Sequence, residues 1–367
     1  MKKGFLLIPV LLVVIIVIYS ANFFKSQLLQ ERQLNIFSPA KIVVTSKPQD
    51  YQNIKDFTPE EIFSYQDPQV LPQKEEGKYI LVATGDVLPA RTVNYKMVSK
   101  NNFTFPFEKT VGLLKSGDLT FTNLETPLLK DCPTTQEGMI FCGDGRSVEG
   151  LIFSGVDIVN LANNHTGNHR LEGVKETQEI LQKNSISVTG NNSPAILTVN
   201  DKKFGFLGYN DIGAEEQGVS WADMGIMEKE IKQLRPKVDF LIVQFHWGVE
   251  YVYDPSDRQR ELGQKAIDLG ADLIIGNHPH WVQGVEIYKD KLITYAHGNF
   301  VFDQMWSRET REGVVGVYTF NDKYLESVRF YPVIIEDYAQ PRFADEKEAK
   351  KILEKMRESS EKIITYD

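Results

Sequence analysis

The sequence predicts an α/β fold with a largely parallel central sheet. Seven apolar segments of strand length follow residue 78, and segments with helical periodicity lie between several of them. This alternation is typical of α/β domains, because each crossover helix covers one face of a parallel sheet. The run FLIVQF at 240–245 has no polar alternation, as expected of a strand that is buried on both faces.

The first 25 residues carry a candidate membrane span. Lys2 and Lys3 precede 21 uncharged residues, Gly4–Phe24, which as a helix would cross the roughly 30 Å apolar core of a bilayer. Positive charge before the span predicts a cytoplasmic N-terminus and an exported remainder. We therefore predict an anchor at 1–25 and a single-pass protein of the cell membrane, with its C-terminal domain outside the cytoplasm. A cleaved signal peptide is the alternative.

Residues 26–77 are predicted to form a stalk or linker. They are polar, contain five prolines and lack a sustained apolar period, although Pro59 could open a short helix. The apolar character changes abruptly at Tyr79, so the folded domain is placed at 78–340.

The C-terminal part of the sequence predicts two further features. The apolar segments at 313–320 and 325–335 have no helix between them, which indicates an antiparallel addition to the sheet. Residues 341–367 predict a helix that packs on the domain, because their apolar side chains repeat on or near one stripe. These side chains are Ile352, Met356 and Ile363.

Charge and cysteine content exclude several classes of protein. The net charge of −9 argues against a general nucleic-acid binder, which needs a basic face. Contact with a polyanion would require a local positive feature such as a metal ion. Cys132 and Cys142 are too few for a cysteine-based zinc framework, and in an exported domain they predict a disulfide across a short polar loop. Two free thiols are the alternative.

Polar side chains recur where the predicted strands end. The C-terminal ends of parallel strands meet at one edge of a sheet, where ligands bind. Each residue could instead cap a turn or be a buried, hydrogen-bonded side chain. His278 and His280 are the most specific pair, since residues i and i+2 of an extended segment project the same way. The set comprises Asp86, Asn123, Glu125, Asn163, Asn164, His165, His246, His278 and His280.

This mixture of carboxylates, an amide oxygen and imidazoles predicts a site for two divalent ions of the Mn, Zn or Fe type. His165 follows a candidate ligand and is predicted to protonate a leaving group. Arg91 is predicted to hold an anionic group of a polymer or phosphoester substrate, with an ordinary surface ion pair as the alternative. Further substrate contacts are assigned to Asn123, Glu250 and Asn299.

Six motifs occur in an order that resembles the CapA-type poly-γ-glutamate capsule biosynthesis family, over about residues 78–340. They are TGDVLPAR, GDLTFTNLETPL, VNLANNHTGN, VQFHWGVEY, GADLIIGNHPHWVQGVE and YAHGNFVFD. The resemblance implies a calcineurin-like metallophosphoesterase fold, with two packed mixed sheets flanked by helices. It also implies a role in making or exporting a γ-linked glutamate polymer at the bacterial surface. Matched by position, it implies His165 as catalytic acid and as metal ligands Asp86, Glu125, Asn164, His246, His278 and His280.

The sequence departs from the family pattern at several positions. Leu88 stands where the wider fold usually has a histidine, which predicts that one metal subsite is weaker or empty. Asn277 stands where the family often has a second histidine, and the segment Thr166–His169 differs from the sequence that usually occurs there in the family. His297 is not counted as a ligand. Two functions therefore stay open: an anchored metal-dependent hydrolase, or a non-catalytic subunit of a membrane polymer-synthase complex with a vestigial site.

Overall fold

Two mixed β-sheets form the framework of residues 58–365, the part of the chain that this computed structural model describes. In chain order the strands are β1 Tyr79–Val87, β2 Leu119–Leu124, β3 Leu128–Leu129, β4 Gly143–Asp144, β5 Ile158–Asn160, β6 Ser187–Thr189, β7 Ala195–Val199, β8 Lys202–Asn210, β9 Phe240–His246, β10 Leu273–Asn277, β11 Val285–Tyr288, β12 Lys291–Thr294, β13 Asn299–Val301, β14 Glu312–Phe320, β15 Leu325–Glu336 and β16 Gln340–Phe343. The α-helices are α1 Pro59–Ile62, α2 Arg91–Lys100, α3 Val111–Leu114, α4 Val148–Phe153, α5 Arg170–Lys183, α6 Met224–Leu234, α7 Asp257–Leu269 and α8 Glu346–Thr365.

The first sheet has the order β16-β15-β14-β1-β2-β5-β6, with β13 beside β1. Its half from β1 to β6 is parallel, whereas β14, β15 and β16 are antiparallel. The second sheet has the order β11-β12-β10-β9-β8-β7, with four parallel central strands and antiparallel edges. The α/β prediction is confirmed, although the described residues form two mixed sheets and a short parallel pair, β3–β4, where periodicity alone indicated one sheet.

The alternation of side chains along β1 shows how the layers stack. Leu81 and Ala83 face the core between the two sheets, while Ile80 and Val82 face an outer core. In the inner core, aromatic rings meet across the sheets, as where Phe121 of β2 lies 5.2 Å from a β8 ring. Helices α2, α3 and α4 cover the first sheet, and α6 and α7 cover the second. The result is a four-layer arrangement that leaves the strand ends free to build a site.

The final helix, α8, closes one side of the inner core. Ile352 and Met356 are fully buried between the sheets. Farther along, the Ser359 and Ser360 hydroxyls accept hydrogen bonds of 3.0 and 2.8 Å from the backbone that leads into β11. The helix therefore packs through both an apolar stripe and polar anchors.

The chain packs on the domain earlier than the predicted stalk boundary. Thr58 caps α1 with a capping box, and Pro59 begins the helix. Ile62 is 3% exposed within the core between the sheets, and Phe63 and Tyr65 pack against it. These few apolar residues are too short a group to produce a periodic signal, which explains why the sequence placed them in the stalk.

Among residues 58–365, every helix is too short or too polar to cross a bilayer. The predicted span, Gly4–Phe24, lies outside the described residues.

Candidate metal centre

The ends of the parallel strands from both sheets meet at one edge of the molecule. In the first sheet, Asp86 at the end of β1 is in register with Asn123 of β2, which is in register with Asn160 of β5. In the second sheet, His246 at the end of β9 pairs with Asn277, the residue before the histidine pair. The register of the two sheets therefore brings the predicted residues together.

Two groups of possible metal ligands share Glu125. The first group is Asp86, Glu125 and His246, and the second is Glu125, His278 and His280. Within each group the ligand atoms lie within 4.8 Å of one another, and all five side chains are almost completely buried. Across the groups, His246 Nε2 lies 3.2 Å from His278 Nδ1. A carboxylate common to two such groups can bridge two ions.

The loop after β5 adds Asn164 and His165. Asn164 Oδ1 lies 2.9 Å from His246 Nε2, so this amide oxygen reaches the ligand cluster. His165 is half-buried beside it, and its Nδ1 lies 3.2 Å from Asn168 Oδ1 rather than against a carboxylate. The structure therefore places Asn164 with the metal-type groups and His165 next to them.

Buried amides fix the positions of these groups. Asn123 donates a 2.8 Å hydrogen bond to Asp86 Oδ1 and accepts bonds from Asn160 and Asn163 at 3.1 and 3.2 Å. Asn163 in turn accepts the backbone N–H of His165 at 3.1 Å. The Asn123 amide is completely buried and bonded at both ends, so it fixes the position of the candidate ligand Asp86, whereas the sequence assigned it to substrate.

The His278–His280 segment departs from the extended backbone that we expected. The φ angles are +98° at His278 and +57° at His280, a region that non-glycine residues adopt at a cost of about 1–3 kcal/mol. The rings still lie 5.6 Å apart. His280 Nδ1 lies 2.9 Å from Oδ1 of the buried Asn299. The amide nitrogen of Asn299 donates hydrogen bonds to Gln304 and to a backbone carbonyl. Asn299 thus orients a ring, whereas the sequence assigned it to substrate.

The electrostatics of the site suit cation binding. Burial, and then the neighbouring Asp86, raise the pKa of Glu125 well above its usual range. Burial lowers the pKa of His246 and His278 well below normal and that of His165 to about 4, so these imidazoles are neutral, the form that binds metals. Glu125 Oε1 is buried without a hydrogen-bond partner among the described residues. A divalent cation therefore fits this set of donors.

Residues 80–304 match the family model described as bacterial capsule synthesis protein PGA_cap. The chain belongs to this family. It is 28% identical over 286 residues to capsule biosynthesis protein CapA of Bacillus anthracis, covering 72% of this chain and 69% of that one. It is 30% identical over 251 residues to PGA biosynthesis protein CapA of Bacillus subtilis strain 168, covering 64% and 66% of the two chains.

Similarity to solved structures is more distant. A hypothetical protein from Thermus thermophilus aligns with a TM-score of 0.47 at 15% identity, covering 69% of this chain and 98% of that one. A phosphatase from Mycoplasma pneumoniae aligns with a TM-score of 0.46 at 14% identity, covering 72% and 95%.

Two residues that were predicted to contact substrate, Arg91 and Glu250, lie in different settings. Arg91 is half-buried and pairs with the nearly buried Asp303, so it is not an ordinary surface ion pair. Its guanidinium lies 4.5 Å from the centre of the Phe141 ring. Glu250 is exposed. Burial raises the pKa of the neighbouring Tyr251 hydroxyl, and the negative charge of Glu250 raises it further.

Three of the positions where this family member departs from the usual pattern, Leu88, Asn277 and His297, are buried. Leu88 is completely buried among apolar side chains that include Phe302, so it offers no ligand atom. Asn277 accepts a hydrogen bond from Gln244 behind the histidine pair. His297 Nε2 lies 2.8 Å from the Tyr318 hydroxyl, and it is absent from both ligand groups.

Three residues near the site carried no clear signal in the sequence. Asp303 pairs with Arg91, and Asn168 contacts His165. Both lie within the six capsule-family motifs, but their residue types alone indicated no role. Phe141 packs against His165 with ring centres 4.1 Å apart and ring planes inclined by 32°. Only its place beside Cys142 could have indicated a constrained position, because an aromatic residue in a polar loop carries no specific signal of its own.

Proposed function

We propose that this protein is a membrane-anchored, exported, divalent-metal-dependent hydrolase that acts in the synthesis or export of a poly-γ-glutamate type of surface polymer. Membership of the capsule synthesis family and the names of the two Bacillus relatives support the polymer. The two packed sheets with a site at their strand ends support a calcineurin-like metallophosphoesterase fold.

The observation that carries the hydrolase proposal is the pair of ligand groups joined through Glu125. Its Oε1 atom is buried without a partner among the described residues, a costly arrangement unless a cation completes it. Asp86, Glu125, Asn164, His246, His278 and His280 would hold two ions of the Mn, Zn or Fe type. Bound there, the ions would supply Lewis-acid activation of water and of the scissile ester or amide.

The chain's own residues have distinct roles in this proposal. His165 is the proton-transfer group, because it lies beside the proposed ligands. Asn168 contacts its Nδ1, which leaves Nε2 as the nitrogen that exchanges the proton. Burial lowers the pKa of this ring to about 4, and a bound anionic group would raise it. Arg91 faces an anionic group of the substrate, and Glu250 lies at the rim of the site. Asn123 and Asn299 position ligands.

A second candidate function is a non-catalytic subunit of a membrane polymer-synthase complex. Leu88 is the observation that favours it, since an apolar side chain occupies the position of a usual ligand. In this case the ligand groups are retained for stability and the partners of the domain are membrane proteins.

Metal analysis and a hydrolysis assay distinguish the two functions. The purified full chain should contain about two transition-metal ions and should cleave γ-glutamyl polymer or a model phosphoester. His280→Ala should lose metal, activity and, in cells, surface polymer. His169→Ala is the matched control, since this half-buried histidine belongs to neither ligand group. A wild-type protein without metal, or normal polymer production by His280→Ala cells, would support the non-catalytic function.

A further inference from the structure

The disulfide-closed loop of residues 132–142 connects two sides of the candidate site. Cys132 and Cys142 are joined in the structure. Near the first cysteine the loop is tied to helix α2, which begins with Arg91: Asn94 Nδ2 lies 3.9 Å from Cys132 Sγ, and Thr92 Oγ1 lies 3.4 Å from a loop carbonyl. At the other end the loop delivers Phe141 to the site.

The apolar residues at the end of this loop differ sharply in exposure. Met139 and Ile140 are 71% and 74% exposed, whereas Phe141 is 3% exposed. The Phe141 ring contacts both the Arg91 guanidinium, at 4.5 Å, and the His165 imidazole, at 4.1 Å. One buried ring therefore packs against a predicted substrate-binding cation and against the predicted proton-transfer group.

A single oxygen atom ties the loop backbone to the His165 ring. Asn168 Oδ1 accepts a 2.7 Å hydrogen bond from the backbone N–H of Phe141 and lies 3.2 Å from His165 Nδ1. A backbone N–H can only donate, so the Asn168 atom that faces it must be the amide oxygen. His165 Nδ1 must then carry a hydrogen, and the lone pair of the neutral ring is on Nε2.

We propose that the loop of residues 132–142 is a positioning element that fixes the orientation and the tautomer of His165. Phe141 restricts the orientation of the imidazole by packing against its face at an inclination of 32°, and Asn168 sets the tautomer through the oxygen that it shares with the loop. The disulfide holds the segment that carries Phe141 close to α2. The inference rests on the proposed function, in which His165 transfers a proton at Nε2.

The tautomer can be measured without an activity assay. In the full chain labelled with ¹⁵N-histidine, long-range ¹H–¹⁵N spectra at neutral pH report which ring nitrogen is protonated, and His165→Ala identifies the signals. We expect the Nδ1–H form in the wild type, the same form in Asn168→Asp, and a mixture or the Nε2–H form in Asn168→Ala. The paired Cys132→Ser/Cys142→Ser variant should also give a mixture.

Kinetics supply the second measurement. Because small displacements of a reacting group cost roughly 10–100-fold in rate, Phe141→Ala should lower kcat by roughly that factor with unchanged metal content. Phe105→Ala is the matched control: its ring is half-buried and lies 4.8 Å beneath Lys100, and kcat should be unaffected. If Phe141→Ala does not fold, the two Asn168 variants decide the question.

The outcomes separate this inference from the proposed function. An inactive wild type whose His165 is in the Nδ1–H form overturns the hydrolase and leaves the positioning role standing. An active wild type in which Asn168→Ala and Phe141→Ala keep both the tautomer and kcat overturns the positioning role alone.

Discussion

Replacing Glu125 by Gln should stabilise the metal-free protein and at the same time weaken its binding of divalent ions. The side chain is completely buried, and burial together with Asp86 raises its pKa. The folded state therefore binds a proton at Glu125 more tightly than the unfolded state does. In metal-free wild type this makes stability fall as the pH rises from the ordinary value of 4.5 towards the raised pKa.

The size of this effect has an upper limit. The cost is about 1.4 kcal/mol for each pH unit above the unfolded pKa, and it stops growing at the folded pKa. Between 4.5 and pH 7 it cannot exceed about 3.4 kcal/mol. Glu125→Gln removes the titration, so its advantage should be near zero at pH 4.5 and reach at most this value at pH 7. The corresponding rise in Tm is roughly 3–7 °C for a domain of this size.

Adding a divalent ion should reverse the order of stability. At a concentration 1,000-fold above Kd, a bound ion stabilises the wild type by about 4 kcal/mol, and Glu125→Gln should lose most of that gain because it removes the carboxylate charge common to both candidate groups. Calorimetry of chelator-treated protein with and without Mn²⁺ measures both signs. Glu312→Gln is the matched control: this carboxylate is equally buried but is paired with Arg308 and Lys355, so its loss should destabilise the protein in both conditions. A metal-free Glu125→Gln that is less stable than wild type at pH 7, or that binds Mn²⁺ equally well, would refute the reasoning.

Three further predictions concern proton transfer, the loop and topology. His165→Ala should keep its metal, measured by elemental analysis, and lose about 10²–10⁴-fold in turnover; loss of metal would make His165 a ligand. Mass mapping of the exported protein without reduction should find Cys132 joined to Cys142, and free thiols at both positions would contradict the pairing. Protease added to intact cells should digest the C-terminal domain if Gly4–Phe24 is an uncleaved anchor, whereas a mature chain that starts near Ala21 would show a cleaved signal.

The convergence of the candidate ligands could be predicted from the sequence because it follows from a general property of parallel sheets. Asp86, Glu125 and His246 each stand at or just after the end of an apolar run, and the ends of parallel strands meet at one edge. The helical periodicity between the apolar segments also corresponds to helices in the structure, such as α5 and α7. Long, strongly periodic segments carry this information locally.

What the sequence could not provide depends on contacts between distant segments. Asn123 and Asn299 were assigned to substrate because polar residues at strand ends look alike, and only burial and partners distinguish a ligand's support from a substrate contact. The positive φ angles at His278 and His280 are imposed by the surrounding structure, since residues other than glycine adopt that region in only a few per cent of cases. Strands β6 and β7 carry little signal in the sequence, because β6 is only three residues long and β7 is partly exposed.

The composition of the site explains how an acidic protein could act on an anionic polymer. The neutral amides of Asn123 and Asn299 position the candidate ligands, and Asp86 and Glu125 are the two carboxylates among the six proposed ligands. Two divalent ions would exceed the combined charge of these two carboxylates by two units, which makes the site locally positive within a chain of net charge −9. Charged groups in place of Asn123 or Asn299 would alter this balance, whereas amides fix geometry without adding charge. Attraction of an anionic substrate would then depend on the second ion, and so on whether the subsite near Leu88 is filled.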